Sequence, residues 1–214
     1  MDSPSQGLRE HRVAREAHEP QPQWVPVKRL TPRWREAIKE HLIELSEQDR
    51  YLRFGAATSD ERIRHYVDGL RFEHDDIVGV FNRRLQLVAL AHLAIGEDAE
   101  LGIAEYGISV SAHLRGSGYG KRLFAHAVLM ARNRGVGWLK IHALAENATM
   151  LHIAAAAGAT VERDGSQAQA ILRLPAASAG SRWEVWLEAW AGGLDFRLKQ
   201  SRGPELPPGS ATRA

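Results

Sequence analysis

Three glycines that alternate at a predicted strand-to-helix junction are the feature of this sequence best suited to bind a ligand. They lie in the stretch Arg115-Gly116-Ser117-Gly118-Tyr119-Gly120-Lys121. Glycines at such a junction leave backbone N–H groups uncovered at the positive end of a helix dipole, where proteins commonly bind phosphate groups. Because Arg115, Lys121 and Arg122 add positive charge, the stretch predicts a site for a phosphorylated cofactor.

Predicted elements on both sides hold this glycine-rich stretch in place. The residues from Leu101 to Val110 favour a strand before it, and those from Gly118 to Arg134 favour a helix that Gly135 stops. A further strand is predicted from Trp138 to Ala143, followed by a helix from Asn147 to Ala157. The sequence thus places the stretch in the setting that a phosphate site needs.

The remaining elements complete an α/β pattern. Three helices are predicted: one opened by Thr31-Pro32 and running to about Leu45, a short one from Glu47 to Phe54, and one that starts at the capping box Thr58-Ser59-Asp60-Glu61 and runs to about Leu70. Further strands are predicted at Trp24 to Arg29, Ile77 to Phe81, Leu85 to Ile95, Ala159 to Glu162 and Ala168 to Leu174. This order predicts a single α/β domain with a mixed, mostly antiparallel central sheet flanked by helices.

Composition excludes several classes of function. The net charge of +2 over 214 residues gives no electrostatic reason to expect nucleic acid or an anionic membrane as a partner. The ten histidines form no His-Glu-x-x-His or clustered ligand spacing, and cysteines are absent, so no metal is predicted. No secretory signal or membrane-spanning run is visible, which leads us to expect a cytoplasmic protein.

Proline placement predicts the domain boundaries. None of the nine prolines lies between Arg33 and Leu174, and proline disrupts both helix interiors and sheet ladders. We therefore predict a polar, flexible N-terminal arm at residues 1–23 and the α/β domain at residues 24–175. Residues 176–214 are predicted to form an extension with a tryptophan-rich helix and a frayed tail.

Several motifs in the right order resemble the GNAT superfamily of N-acetyltransferases. The family's pyrophosphate loop reads Gln/Arg-x-x-Gly-x-Gly/Ala, and Arg115, Gly118 and Gly120 occupy its fixed positions. The chain also resembles the catalytic domain of bacterial protein-lysine acetyltransferases. That second resemblance rests on the segments Leu45-Ser46, Tyr51-Leu52-Arg53-Phe54, Ala104-Glu105-Tyr106-Gly107-Ile108-Ser109-Val110 and Glu146-Asn147 with Met150. Together the matches span roughly residues 25–174.

The resemblance implies that acetyl-CoA is the co-substrate. The strand segment that ends in Val110 would pair with its pantetheine arm, and the glycine-rich loop would bind its pyrophosphate. The predicted cofactor-binding residues are therefore Ile108, Ser109, Val110, Arg115, Gly116, Ser117, Gly118, Tyr119, Gly120, Lys121 and Asn147. Gly107, which interrupts the strand, predicts a bulge or a close approach of the backbone.

A cationic amine must lose a proton before it can attack a thioester, so a base is required. Glu105, which stands on the predicted cofactor strand, is the predicted general base, and the resemblance implies the same role. A polar strand residue that only faces solvent is the alternative reading. The superfamily often places a tyrosine acid where this chain has Ala154, which leaves water or His152 to protonate the thiolate.

These features together predict direct transfer of acetyl from acetyl-CoA to a primary amine. A protein lysine is the leading acceptor, with a small-molecule amine as the alternative. A non-catalytic acyl-CoA-binding sensor is a third reading, and the missing tyrosine favours it. The tryptophans of the C-terminal extension, Trp183, Trp186 and Trp190, would pack on the core, form a homodimer contact or cover the acceptor site.

Overall fold

The computed structural model describes residues 26–96 and 102–176. The predicted N-terminal arm and nearly all of the predicted C-terminal extension, including its tryptophans, lie outside these residues. The strands are β1 (Lys28–Arg29), β2 (Asp76–Phe81), β3 (Leu87–Ile95), β4 (Ile103–Val110), β5 (Trp138–Leu144), β6 (Thr160–Asp164) and β7 (Gln167–Arg173), and the helices are α1 (Arg35–Ile43), α2 (Glu47–Phe54), α3 (Asp60–Asp68), α4 (Tyr119–Asn133) and α5 (Ala148–Ala156).

The strands form one seven-stranded sheet in the order β1-β2-β3-β4-β5-β7-β6. All neighbours pair antiparallel except β4 and β5, which pair parallel. The predicted α/β domain, with its mixed, mostly antiparallel sheet flanked by helices, is confirmed. None of the described helices combines the length and apolar character that crossing a bilayer requires.

Two hydrophobic clusters cover the two faces of the sheet. One includes Ile38 of α1 and Ile63 of α3. The other includes Phe124 of α4 and Ala154 of α5. Because both faces are covered, all six residues of β2 are buried, which explains why its residues from Ile77 to Phe81 contain no polar side chain.

Local sequence signals placed most helix ends correctly, with two corrections. Thr31 makes no capping hydrogen bond, and a 3₁₀ turn over Pro32–Trp34 precedes α1. Ser59, not Thr58, caps α3, because its hydroxyl accepts the Arg62 N–H at 3.3 Å. The Thr58 hydroxyl is engaged in a turn, where it donates to the Ala56 carbonyl.

Strand ends show smaller differences from the predictions. In the described chain β1 begins at Lys28, and β3 begins at Leu87 instead of Leu85. Leu85 has a φ of 61° and belongs to the turn after β2, closed by a hydrogen bond from its N–H to the Asn82 carbonyl. The left-handed conformation at Leu85 prevents it from continuing the strand.

A buried histidine joins α1 to β4. The ring of His41 is 2% exposed, and its Nε2 lies 2.8 Å from the Ser109 hydroxyl. Burial lowers the pKa of His41 from 6.5 to about 4, and the positive charge of Arg53 acts in the same direction. His41 is therefore neutral at physiological pH.

Acidification should therefore destabilise this protein through His41. The unfolded chain takes up a proton near pH 6.5 and the folded chain only near pH 4, so stability falls as pH drops through this interval. Between pH 7 and pH 5 we expect the free energy of unfolding to fall by about 2 kcal/mol from this group. Urea denaturation at both pH values measures it.

Two variants isolate the contribution of His41. His41→Gln cannot titrate, so the difference between its stabilities at the two pH values should be smaller than in the wild type. His74→Gln removes an exposed histidine and should leave the wild-type difference unchanged. Equal pH dependence in wild type and His41→Gln would show that this histidine does not titrate as described.

Candidate active site

The parallel strands β4 and β5 separate after only three paired positions. The pairs run from Ile103 with Trp138 to Glu105 with Lys140. Beyond them β4 continues to Val110 along β3, while β5 continues along β7. A cleft therefore opens between the two strands at the level of Glu105, and cavities lie at both of its sides.

The first cavity, which we call the loop cavity, has a volume of about 480 Å³. The end of β4, the glycine-rich loop, the start of α5 and part of α2 line it. Ten of the eleven predicted cofactor residues contribute to its wall: Ile108, Ser109, Val110, Arg115, Gly116, Gly118, Tyr119, Gly120, Lys121 and Asn147. Ser117 does not line it and is exposed to solvent.

The glycine-rich loop presents an uncapped helix end to the loop cavity. Gly116 and Gly118 have φ angles of 76° and 81°, a left-handed conformation that favours glycine. Gly118 is the N-cap residue of α4, and no side chain caps this helix in the described chain. Four N–H groups at a helix start lack intrahelical partners, so those of α4 are available to an anion.

The third glycine of the loop has a different role. A Cβ on Gly120 would lie 3.3 Å from Cδ1 of Ile153, which belongs to α5. Glycine at this position therefore lets α5 pack closely against the first turn of α4. Asn147 begins α5 as its N-cap, with Oδ1 accepting the Met150 N–H at 3.2 Å.

An ion pair fixes Arg115 at the rim of the loop cavity. Its guanidinium group contacts the carboxylate of Asp49, a residue in the first turn of α2 that also lines this cavity. The pair ties the glycine-rich loop to the helix layer. Sequence reasoning did not identify Asp49, because nothing local to α2 indicates that the loop lies against it.

The second cavity, which we call the Glu105 cavity, has a volume of about 420 Å³. It lies where β4 and β5 separate. The Glu105 side chain is 64% exposed, and its Oε1 is 3.7 Å from Nε2 of His142 on β5. The other residues that line this cavity are Arg53, Phe54, Gly55, Tyr66, His92, Ala94, Tyr106, Gly107, Ala143 and Gln167.

Arg53 lines both cavities. It reaches this position because Gly107 has no side chain: a Cβ there would lie 2.5 Å from the Arg53 Cζ. β4 pairs with β3 in continuous register through Gly107, so the predicted bulge does not form, and a guanidinium group occupies the space left by the missing side chain. In the sequence, Arg53 stood out only as part of a segment that resembles bacterial protein-lysine acetyltransferases. Its position between the two cavities follows from the packing of α2 onto β4.

Of the two predicted sources of the thiolate proton, water and His152, the geometry of α5 does not favour His152, which is exposed and lines neither cavity. Ala154, at the position where the family often has a tyrosine, is fully buried in the core. In the part of the chain that the structure describes, no group of three or more histidine or acidic side chains could hold a metal ion.

Comparisons with solved structures show that this fold is shared. The chain is similar to the GNAT domain of PAT from S. lividans, at 21% identity and a TM-score of 0.59, over 69% of this chain and 89% of that chain. It is also similar to spermidine N-acetyltransferase from Vibrio cholerae, at 15% identity and a TM-score of 0.56, over 70% of this chain and 95% of that chain. A third similar structure is the phosphinothricin acetyltransferase from Sinorhizobium meliloti, at 15% identity and a TM-score of 0.57, over 70% of this chain and 88% of that chain.

Sequence comparison identifies the family. None of the curated proteins matches this chain. The model of the acetyltransferase (GNAT) family matches residues 31–158, which is more than half of the chain. Apart from Gln167, all residues that line the two cavities lie within this range. The uncapped helix end, the cleft between β4 and β5 and this match agree: the chain belongs to the acetyltransferase (GNAT) family and is an acyltransferase.

Proposed function

We propose that this protein transfers an acetyl group from acetyl-CoA to a primary amine by direct attack. The observation that carries the proposal is the meeting of two cavities at Arg53. An anion-binding helix end lies at one side of this junction, and a carboxylate lies at the other. A thioester held at the junction would be within reach of an amine in the Glu105 cavity.

The residues of the loop cavity fit coenzyme A. The uncapped amides at the start of α4 would bind the pyrophosphate, and the nearby charge of Lys121 would add to the attraction. The β4 edge from Ile108 to Val110 has no β5 partner, so its backbone could pair with the pantetheine amides. Related structures support this use, since the S. meliloti protein was solved with acetyl-CoA.

Glu105 is the proposed general base. It stands at the last position where β4 and β5 still pair, at the opening of the cleft. With 64% of its side chain exposed, it can take a proton from an incoming ammonium group directly or through one water molecule. Two titratable groups of β5 lie beside it: Lys140, its pairing partner, and His142, whose Nε2 is 3.7 Å from Oε1 of Glu105.

A protein lysine is the proposed acceptor. The exposure of Glu105 supports this choice, because a long flexible side chain could reach it from outside. The neighbours in fold differ in the acceptors that their names give, which include spermidine and phosphinothricin. Small-molecule amines are therefore the alternative to be tested beside proteins.

An acetyl-CoA thiol-release assay over a panel of acceptors tests the function. The panel contains an Nα-blocked lysine amide, a lysine-rich protein, spermidine and phosphinothricin, with mass spectrometry of each product. We expect release of coenzyme A coupled to formation of an acetyl-amide on at least the lysine acceptors. Absence of acetylated product with every member would contradict an amine acceptor.

The glycine-rich loop makes a prediction about cofactor affinity. Gly118→Asp should abolish detectable coenzyme A binding in calorimetry, because it adds a negative charge where the pyrophosphate should bind. Gly118→Asn adds a similar volume without the charge and should bind better than the aspartate variant. Unchanged affinity in a folded Gly118→Asp protein would place the cofactor elsewhere.

Gly135→Asp is the matched control. Gly135 follows the other end of α4, has a φ of 77° and, like Gly118, has open space where a Cβ would be. The two substitutions therefore introduce similar backbone strain. Gly135→Asp should leave coenzyme A affinity near that of the wild type even if it lowers the melting temperature.

Glu105→Gln tests the base. Glutamine keeps the size of the side chain but cannot accept the proton, so turnover at neutral pH should fall by about 10²-fold or more. Affinity for acetyl-CoA should stay nearly constant. Glu162→Gln, an exposed change on β6, should leave turnover unchanged. Turnover within a few-fold of wild type in Glu105→Gln would assign proton removal to another group or to water.

A further inference from the structure

A chain of hydrogen-bonded side chains leads from the Glu105 cavity to a buried carboxylate. An Arg53 Nη donates to the Tyr66 hydroxyl at 3.0 Å, and that hydroxyl lies 2.7 Å from Nδ1 of His92. Nε2 of His92 lies 3.0 Å from Oδ2 of Asp75. Arg53, Tyr66 and His92 all line the cavity, whereas Asp75 is 3% exposed.

Donor and acceptor requirements fix the direction of this chain. Burial by itself would raise the pKa of Asp75, but the hydrogen bond from His92, the Ile95 N–H and the charge of Arg71 together lower it. Asp75 is therefore a carboxylate and can only accept, so His92 donates from Nε2. In the neutral ring, Nδ1 then accepts the Tyr66 O–H.

This arrangement has the order of a proton relay. Tyr66 stands at the cavity, a neutral imidazole receives its proton, and a carboxylate stabilises the imidazolium that forms. The Arg53 cation beside the tyrosine oxygen stabilises negative charge on that oxygen while the proton moves. Helix packing alone does not require a histidine and a buried carboxylate in series behind the hydroxyl.

The proposed reaction requires a second proton acceptor. An ammonium group that becomes an amide loses two protons, one before attack and one from the positively charged nitrogen after its bond to the acetyl carbon has formed. One of these is balanced by the thiol of released coenzyme A, and the other passes to solvent. Glu105 accounts for the first removal only.

We infer that Tyr66, backed by His92 and Asp75, takes the second proton from the acceptor nitrogen. The N–H bond breaks as the Tyr66 oxygen gains the proton, and the O–H bond of Tyr66 breaks as Nδ1 of His92 gains its proton. His92 afterwards returns a proton through Tyr66 to water in the cavity. Tyr66 is thus a catalytic residue, and His92 and Asp75 act through it; this inference rests on the proposed function.

Charged groups on several neighbouring elements lie around the Glu105 cavity and the His92–Asp75 pair. Arg53 belongs to α2, Asp75 and Arg71 precede β2, and Glu105 and His142 lie on β4 and β5. Asp75 contacts the ring directly.

Two substitutions interrupt the relay while preserving its surroundings. Tyr66→Phe removes the hydroxyl and keeps the ring, which packs edge-on against Phe54 and His92. His92→Gln keeps one donor for Asp75 and one acceptor for Tyr66 but cannot be protonated. Tyr51→Phe is the control, since Tyr51 lies on α2 and lines neither the loop cavity nor the Glu105 cavity.

The rate experiment uses the panel acceptor that the wild type acetylates fastest. We expect kcat to fall about 10²-fold in Tyr66→Phe and His92→Gln, with coenzyme A affinity unchanged in calorimetry. Both variants should also lose an acid limb of the wild-type pH profile in the range where histidines titrate. Tyr51→Phe should keep both the rate and the limb.

Several results would overturn the relay. If Tyr66→Phe and His92→Gln keep the wild-type limb and rate, the relay is wrong while the acetyltransferase function stands. A fall in rate that leaves the limb in place would show a structural role only. If the wild type acetylates no member of the panel, the proposed function fails and the relay fails with it.

A measurement without substrate tests the same geometry. In the NMR spectrum of the ligand-free protein, the ¹⁵N shifts of His92 should report a neutral ring with its proton on Nε2. Tyr66→Phe should change the Nδ1 shift, because that nitrogen loses its hydrogen-bond donor, whereas Tyr51→Phe should not. A proton on Nδ1 in the wild type would exclude transfer from Tyr66 and overturn the relay even if the enzyme is active.

Discussion

The separation of β4 from β5 is the constraint on which the site depends. A parallel pair that continued to the ends of both strands would satisfy its own backbone groups and leave no cleft. Here pairing stops after three positions. Over its remaining length, β4 is paired with β3 but not with β5. The open edge of β4 lies next to the uncapped start of α4. Together they form one wall of the loop cavity, which suits an extended, phosphorylated thioester.

Arg53 lies at the centre of this cleft because one position of the sheet has no Cβ. That position is Gly107 of β4, and the guanidinium group of Arg53, from α2, occupies the space where a side chain would be. In this position the cation contacts the rings of Phe54 and Tyr66 and donates to the Tyr66 hydroxyl. One glycine in the sheet and one arginine in the helix layer thus form the connection between the loop cavity and the Glu105 cavity.

The helix layer of α1, α2 and α3 holds the polar groups of the site as well as covering the sheet. His41 of α1 bonds to Ser109 of β4 from within the core, and Asp49 of α2 pairs with Arg115 of the glycine-rich loop. Tyr66 of α3 bonds to His92 of β3. Each helix is therefore tied to a strand or loop of the cleft by a directional contact, which restricts how the layer can slide over its apolar core.

The fold class, most elements and ten of the residues that line the loop cavity were predictable from the sequence alone. These signals are local: the α2 bounds match the prediction, alternating glycines specify a strand-to-helix turn, and Asn147 is the N-cap of α5, at the predicted start of that helix. Small differences arose where neighbouring residues compete for one role, as with Thr58 and Ser59 at the start of α3.

Which distant residues meet followed instead from tertiary packing. Asp49 and Arg115 are far apart in the chain, as are Tyr66 and His92, and no periodicity or spacing relates them. The place of Arg53 depends on how α2 lies over Gly107, and the length of the cleft depends on the register of β4 and β5. Such pairings come from packing whole elements against one another, whereas a local pattern fixes only the conformation of the residues that carry it.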